Sequence, residues 1–299
     1  MAKVVVVHGI GQQFLGPAQM HRDVAPALRD GVRLADGLRL AAEDISCAFY
    51  GDLYFEKGTR SADLPAWDET DVEDGLEVEL LMAWWEQAAR VDPAVLAPEQ
   101  EGTRGLLGFG AAQLLRFELV RSALDALAGS RFFGKVSDRS LIFTLKQVRR
   151  YLTEPELRLA AQARVADEIG ADTRVLVAHS LGSVVAYEAL CAHPEWPVTD
   201  FVTLGSPLGL QGIVFDRLQP GPVDGTGAWP GPVLRWTNIA DPGDIVAVVN
   251  ELATRFGDAV KDERITNGTR MHDLVRYLAA PRTGAAIALP LRADSAQVV

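Results

Sequence analysis

An α/β fold, with a mostly parallel sheet and helices on both faces, is predicted by short apolar strands that alternate with helical segments along the chain. Val4 to Val7 is a β-branched run closed by His8-Gly9, the pattern of a central parallel strand buried on both faces. Met20, Val24, Leu28 and Val32 then recur near the helical period, and Ile45 to Tyr50 reads as a second strand. Beyond residue 150 the alternation resumes, with strands at Arg174 to Ala178, Phe201 to Leu204 and Val233 to Ile239. A nearly all-apolar helix lies at Ser183 to Ala192 and a closing helix at Asp273 to Ala279.

Residues 52 to 150 interrupt this rhythm. Helical spacing is found from Val72 to Arg90, from about Ala111 to Leu127 and from about Ser140 to Leu152, so the segment reads as a helical cap inserted into one domain spanning residues 1 to 299. Thr153-Glu154-Pro155-Glu156 has capping-box spacing, with Pro in the first turn of the next helix. Gln219 to Pro232, rich in Gly and Pro, reads as a surface loop, and the tail from Pro281 has no strong pattern.

Composition narrows the function classes. Of 299 residues, 48% are hydrophobic and 23% charged, the balance of a chain that packs a core. Against 29 Lys and Arg stand 40 Asp and Glu; the net charge of -11 repels nucleic acid and anionic lipid head groups. Cys47 and Cys191 are too few for a disulfide framework or thiolate metal site, and no His-x-x-x-His pattern occurs, so neither metal nor cofactor is expected. Val4 to Val7 is too short for a signal core, and Gly105 to Leu115, the longest uncharged apolar stretch mid-chain, is far below the roughly 20 residues of a membrane span. A cytoplasmic location without a transmembrane segment is the expectation.

The chemistry concentrates at Ala178-His179-Ser180-Leu181-Gly182, where a strand runs into a turn with Ser at its apex and then into an apolar helix. A nucleophile needs this context. The sharp turn strains the Ser backbone, lifts its hydroxyl out of the sheet, and demands small residues at minus two and plus two. An ordinary helix N-cap is the plainer account of Ser180.

On these residues the chain resembles the α/β-hydrolase superfamily, in its lipase and esterase branches; Ala178 stands where the pattern usually has Gly. The likeness covers the first 50 residues and roughly 155 to 280, including Val7-His8-Gly9-Ile10-Gly11 and Thr203-Leu204-Gly205-Ser206-Pro207, where Ser206 reads as structural. It implies an oxyanion hole from the main-chain N–H groups of Ile10 and Leu181, and an acid followed by a histidine after Ser180. Only His272 of the five histidines follows a candidate acid. Asp244, in Asp244-Ile245-Val246, fits the family's acid better than Asp241, which has turn chemistry of its own in Asp241-Pro242-Gly243.

The expectation is a serine hydrolase acting on small-molecule or lipid esters, lipase-like or phospholipase-like. Thioester or amide hydrolysis and acyl transfer use the same triad, and a non-catalytic interaction module is the reading from another class. Trp84, Trp85, Leu106, Leu107, Phe109, Leu114 and Leu115 are numerous apolar residues for a cap. They read either as packing or, over Gly105 to Leu115, as an acyl pocket or lid touching lipid at the membrane surface.

Overall fold

The structure is a computed structural model; it describes residues 2–55, 64–98, 111–132 and 137–296, the side chains of 111–115 and 293–296 excepted. The chain divides into two compact units, Met1–Lys57 with Glu154–Val299, and Gly58–Thr153. The first holds the sheet.

Among the described residues six strands form that sheet: β1 (Val4–Val7), β2 (Ile45–Ala48), β3 (Val175–His179), β4 (Asp200–Leu204), β5 (Arg235–Ala240) and β6 (Val260–Arg264). All pairs are parallel, in the order β2-β1-β3-β4-β5-β6. Every residue of β1, β3 and β4 is buried, as strands covered on both faces require. From β1 the chain steps outward to β2, then returns past β1 to begin β3. The sheet therefore has a topological switch point between β1 and β3, and ligands of open α/β sheets bind outside the carboxyl ends of the strands at such a point.

The helices in chain order are α1 (Pro17–Asp36), α2 (Leu76–Val91), α3 (Ala111–Ala128), α4 (Asp138–Thr153), α5 (Pro155–Ala166), α6 (Leu181–Ala192), α7 (Ala253–Phe256), α8 (Leu274–Ala279) and α9 (Pro281–Ala296). Val4, Val6, Val175, Val177, Val202, Leu204 and Ile239 share one core with Val24, Leu28 and Val32 of α1, Tyr277 of α8 and Ile287 and Leu291 of α9. Alternate residues of the same strands face the other way, where α6 packs, backed by α5. Gly31 and Gly284 let α1 and α9 touch, since a Cβ on Gly284 would lie 2.0 Å from the Gly31 carbonyl oxygen.

The second unit contains α2, α3 and α4. Trp84 and Trp85 are buried, and the fully buried Glu77 carboxylate is ion-paired with Arg149 at 2.7 Å and Lys146 at 3.5 Å. A charge removed from water is tolerated only with such partners. Leu106, Leu107 and Phe109 lie outside the described residues, as do the side chains of Leu114 and Leu115.

The strands expected from sequence are present, and three features differ. Helix α5 starts at Glu154 without a side-chain cap, because Thr153 still belongs to α4 and its hydroxyl donates to the Arg149 carbonyl. Strand β6 was not expected: its sequence, Val-Lys-Asp-Glu-Arg, buries only Val260, as an edge strand can. Helix α9 occupies the tail that lacks a pattern, with Pro281 at its first position. No helix among the described residues is long and apolar enough to cross a membrane.

Candidate active site

Strand β3 is buried along its length and ends at His179, and the next residue, Ser180, has φ 54° and ψ -134°. A non-glycine residue holds such a conformation, at a cost of about 1–3 kcal/mol, only where its surroundings impose it. Three contacts do so. The Ser180 N–H still donates to the Leu204 carbonyl of β4 at 3.0 Å, Ser183 Oγ donates to the Ser180 carbonyl at 2.6 Å, and α6 begins immediately, with every residue from Leu181 to Leu190 buried. The Ser180 hydroxyl makes no capping bond to α6, which removes the plainer account of this residue.

The small neighbours are there for space. A Cβ on Gly182 would lie 2.1 Å from the His8 carbonyl oxygen, and one on Gly9 would lie 2.7 Å from the Ser180 Cβ. The loop after β1 thus passes against the serine. His8 holds this loop: its Nδ1–H donates to the Gly9 carbonyl, its Nε2 accepts the Tyr50 N–H at 3.0 Å, and the Tyr50 hydroxyl donates to the His8 carbonyl at 2.7 Å. Ile10 comes next in this loop, and Leu181 opens α6, where first-turn N–H groups have no acceptor within the helix. Ile10 and Leu181 therefore flank Ser180 on the two segments that converge there.

Burial lowers the His8 pKa to about 4, so the folded protein keeps this ring neutral. An unfolded chain binds the proton at the ordinary value near 6.5. The His8 contribution to stability is therefore complete above about pH 6.5 and is lost as pH falls toward about 4, by about 3 kcal/mol at the lower limit. Urea unfolding across that range is expected to show a pH slope that is shallower in His8→Gln.

Asp244 and His272 come together across the ends of β5 and α8. His272 Nδ1 lies 2.7 Å from Asp244 Oδ2, with the carboxylate fully buried and the imidazole 21% exposed. The other oxygen, Oδ1, accepts the Val246 N–H at 3.0 Å. Asp241 does a different job. Its carboxylate accepts the N–H groups of Gly243, at 2.8 Å, and Asn267, fixing the turn below Asp244 and the loop that leads to His272.

Tyr277 has no forewarning in the sequence beyond its position five residues after His272. Its hydroxyl accepts the Asp241 N–H and donates to Asp244 Oδ2, both at 2.9 Å. Removing it in Tyr277→Phe leaves a buried N–H unpaired and the carboxylate short of one donor, at a cost of about 1–3 kcal/mol in chemical-denaturation measurements. Gly205, at φ 52°, is equally confined: a Cβ there would lie 2.6 Å from Asp244 Oδ2 and 3.1 Å from His272 Nδ1. Ser206 donates to Ser183 Oγ at 2.7 Å and accepts the Leu208 N–H at 3.2 Å, a structural role that ties the end of β4 to the start of α6.

No family model, curated protein or solved structure matches this chain. The functional reading rests on the geometry and on the chemistry of these residues.

Cys47 and Cys191 do not compete for the role of nucleophile. Burial pushes the Cys47 thiol up to about 12 and the Cys191 thiol up to about 11, so thiolate is scarce at neutral pH.

Proposed function

We propose that the chain is a serine hydrolase of the α/β-hydrolase fold that cleaves carboxylic esters, with Ser180 as nucleophile, His272 as base and Asp244 as the acid that orients it. The observation that carries this reading is Ser180 at φ 54° on the turn between a buried strand and a buried helix, in a unit that also pairs His272 with a buried carboxylate. Strain at a serine with no capping duty is intelligible if the hydroxyl must be presented to a substrate. The position after β3, beside the switch point of the sheet, supports the same reading.

In this mechanism the Asp244 carboxylate accepts the Nδ1–H of His272, so that Nε2 carries the lone pair that accepts a proton. As Ser180 Oγ bonds to the ester carbonyl carbon, its proton moves to Nε2 and the carbonyl π electrons move to oxygen. The N–H groups of Ile10 and Leu181 would face that oxyanion, each donor typically contributing a factor of about 100 to 1,000. Collapse breaks the bond to the leaving alkoxide, which takes the proton from His272. Water, deprotonated by the same imidazole, then releases the acid and restores Ser180.

The substrate class is a small-molecule or lipid ester. Action in the cytoplasm, with any lipid contact peripheral, is part of the same proposal. A series of p-nitrophenyl esters from acetyl to long acyl chains, run on wild type and His272→Ala with parallel liposome co-sedimentation, tests it. Hydrolysis that rises with acyl length and is lost in the variant supports a lipase-like enzyme. Preference for acetyl esters with no lipid association removes the acyl-pocket part of the proposal, and turnover of thioesters or amides alone removes the ester assignment.

A further inference from the structure

Past the carboxyl ends of β5 and β6 the sheet-bearing unit has an open cleft of about 790 Å³, lined by Pro242 from the turn after β5 and by residues of β6, α8 and α9. This is the end of the sheet at which open α/β folds take ligands. Three of the lining side chains are guanidiniums: Arg264 closes β6, Arg276 lies in α8 and Arg282 is the second residue of α9. No Asp or Glu lines the cleft among the described residues, in a chain whose net charge is -11. The local charge runs against that of the whole chain and favours an anion there.

The three cations are held in place without being used up. Arg276 Nη1 donates to the Asn267 carbonyl, Arg264 Nη2 lies 2.7 Å from Glu251, and Arg282 Nη1 pairs with Glu263. A guanidinium carries five N–H donors, so one such bond leaves most of the fork for another acceptor. The side chains of Arg264 and Arg282 are 64% and 58% exposed; ion pairs so exposed contribute little to stability, and both heads can turn to a doubly charged ligand. Helix α9 starts at the cleft, so its positive end adds to the same field. Ile265 and Pro281 supply apolar wall beside the charges.

We propose that this cleft binds a small soluble phosphate monoester, its dianionic head on Arg264, Arg276 and Arg282 and its organic part against Ile265 and Pro281. The forked, planar guanidinium matches phosphate oxygens in pairs, and three forks on three separate elements suit a head with three outward oxygens better than a carboxylate with two. A phosphate on a lipid surface fits less well, because the remaining charge of this acidic chain repels an anionic bilayer. None of Ser180, Asp244 and His272 lines the cleft, and the inference needs no part of the hydrolase reading.

Isothermal titration of phenyl phosphate into the full chain tests the site, at about pH 8, where a phosphate monoester is a dianion, and at physiological salt, which screens distant charges. One molecule per chain with a dissociation constant below about 1 mM is expected, and benzoate, which carries the same ring on a carboxylate, is expected to bind at least about tenfold more weakly. Arg264→Gln and Arg282→Gln are each expected to weaken phenyl phosphate at least about tenfold, and either one, shown to be folded by circular dichroism, suffices. Arg292→Gln removes the same charge further along α9, outside the cleft, and is expected to stay within about twofold of wild type. No binding at that affinity, benzoate as tight as phenyl phosphate, no loss in the cleft variants, or an equal loss in all three variants overturns the inference. Association with phosphatidic acid vesicles in co-sedimentation, without binding of phenyl phosphate, overturns it in favour of a membrane contact. The titration reads binding and not hydrolysis, so each of these results leaves the hydrolase reading intact.

Discussion

Asp244→Asn is expected to lower ester hydrolysis by about 10,000-fold with the fold intact, whereas Asp241→Asn costs stability first and rate only in consequence. The difference lies in what each carboxylate holds. An amide at position 244 can meet His272 Nδ1 only by forcing the imidazole into the tautomer protonated at Nε2, which has no lone pair to take the serine proton. The amide keeps the shape of the carboxylate and one acceptor oxygen for the Val246 N–H, while its NH2 faces the Tyr277 hydroxyl, so a stability loss of about 1–3 kcal/mol accompanies a far larger loss of rate. At Asp241 two main-chain N–H groups, of Gly243 and Asn267, converge on the two oxygens. An amide there turns its NH2 against one of them and weakens the loop before His272, a loss of about 1–3 kcal/mol. Hydrolysis and urea unfolding measured on both variants separate the two roles. Equal loss of rate at the two positions would contradict the assignment of Asp244.

Gly205→Ala is expected to abolish most activity through a single added methyl group. The residue sits at φ 52°, where any L side chain is strained, by about 1–2 kcal/mol. The methyl carbon would also stand 2.6 Å from Asp244 Oδ2, inside van der Waals contact, so the carboxylate must move. His272 moves with it, because the 2.7 Å bond to Asp244 is what orients the ring. Displacement of about 1 Å is worth about 100-fold in rate. A folded, soluble Gly205→Ala enzyme with hydrolysis within a few-fold of wild type would mean that this carboxylate does not set the rate.

Much of the fold was legible because parallel strands buried on both faces leave continuous apolar runs, as Val4–Val7 and Val175–His179 do. The strand that was missed, Val260–Arg264, is an edge whose Asp262 accepts the N–H groups of Leu252 and Ala253 and the Asn238 amide; its residues are chosen for those bonds rather than for burial. Helix α9 was missed because its closest approach to α1 is at Gly31 and Gly284, where glycine carries no hydrophobic signal, and, among the described residues, only Ile287, Ala288 and Leu291 of the helix are buried in the core.

At the candidate site the order Ser180, Asp244, His272 was implied by the resemblance to a hydrolase family, and the structure pairs His272 with Asp244. The supports were not implied. Tyr277 matters through a hydroxyl aimed at residues more than thirty positions away, and His8 through a carbonyl that only the close approach of Gly182 makes important. Such roles arise when the sheet brings the ends of β1, β3, β4 and β5 together.

The central claim is that Ser180 is an activated nucleophile, and fluorophosphonate labelling tests it without knowledge of the true substrate. Purified wild type and Ser180→Ala, both shown to be folded by circular dichroism, are incubated with the probe and the labelled site is located by peptide mass spectrometry. Covalent modification at Ser180 in wild type and none in the variant is the predicted result. A folded wild type that takes up no label, or equal labelling of both proteins, would contradict the account.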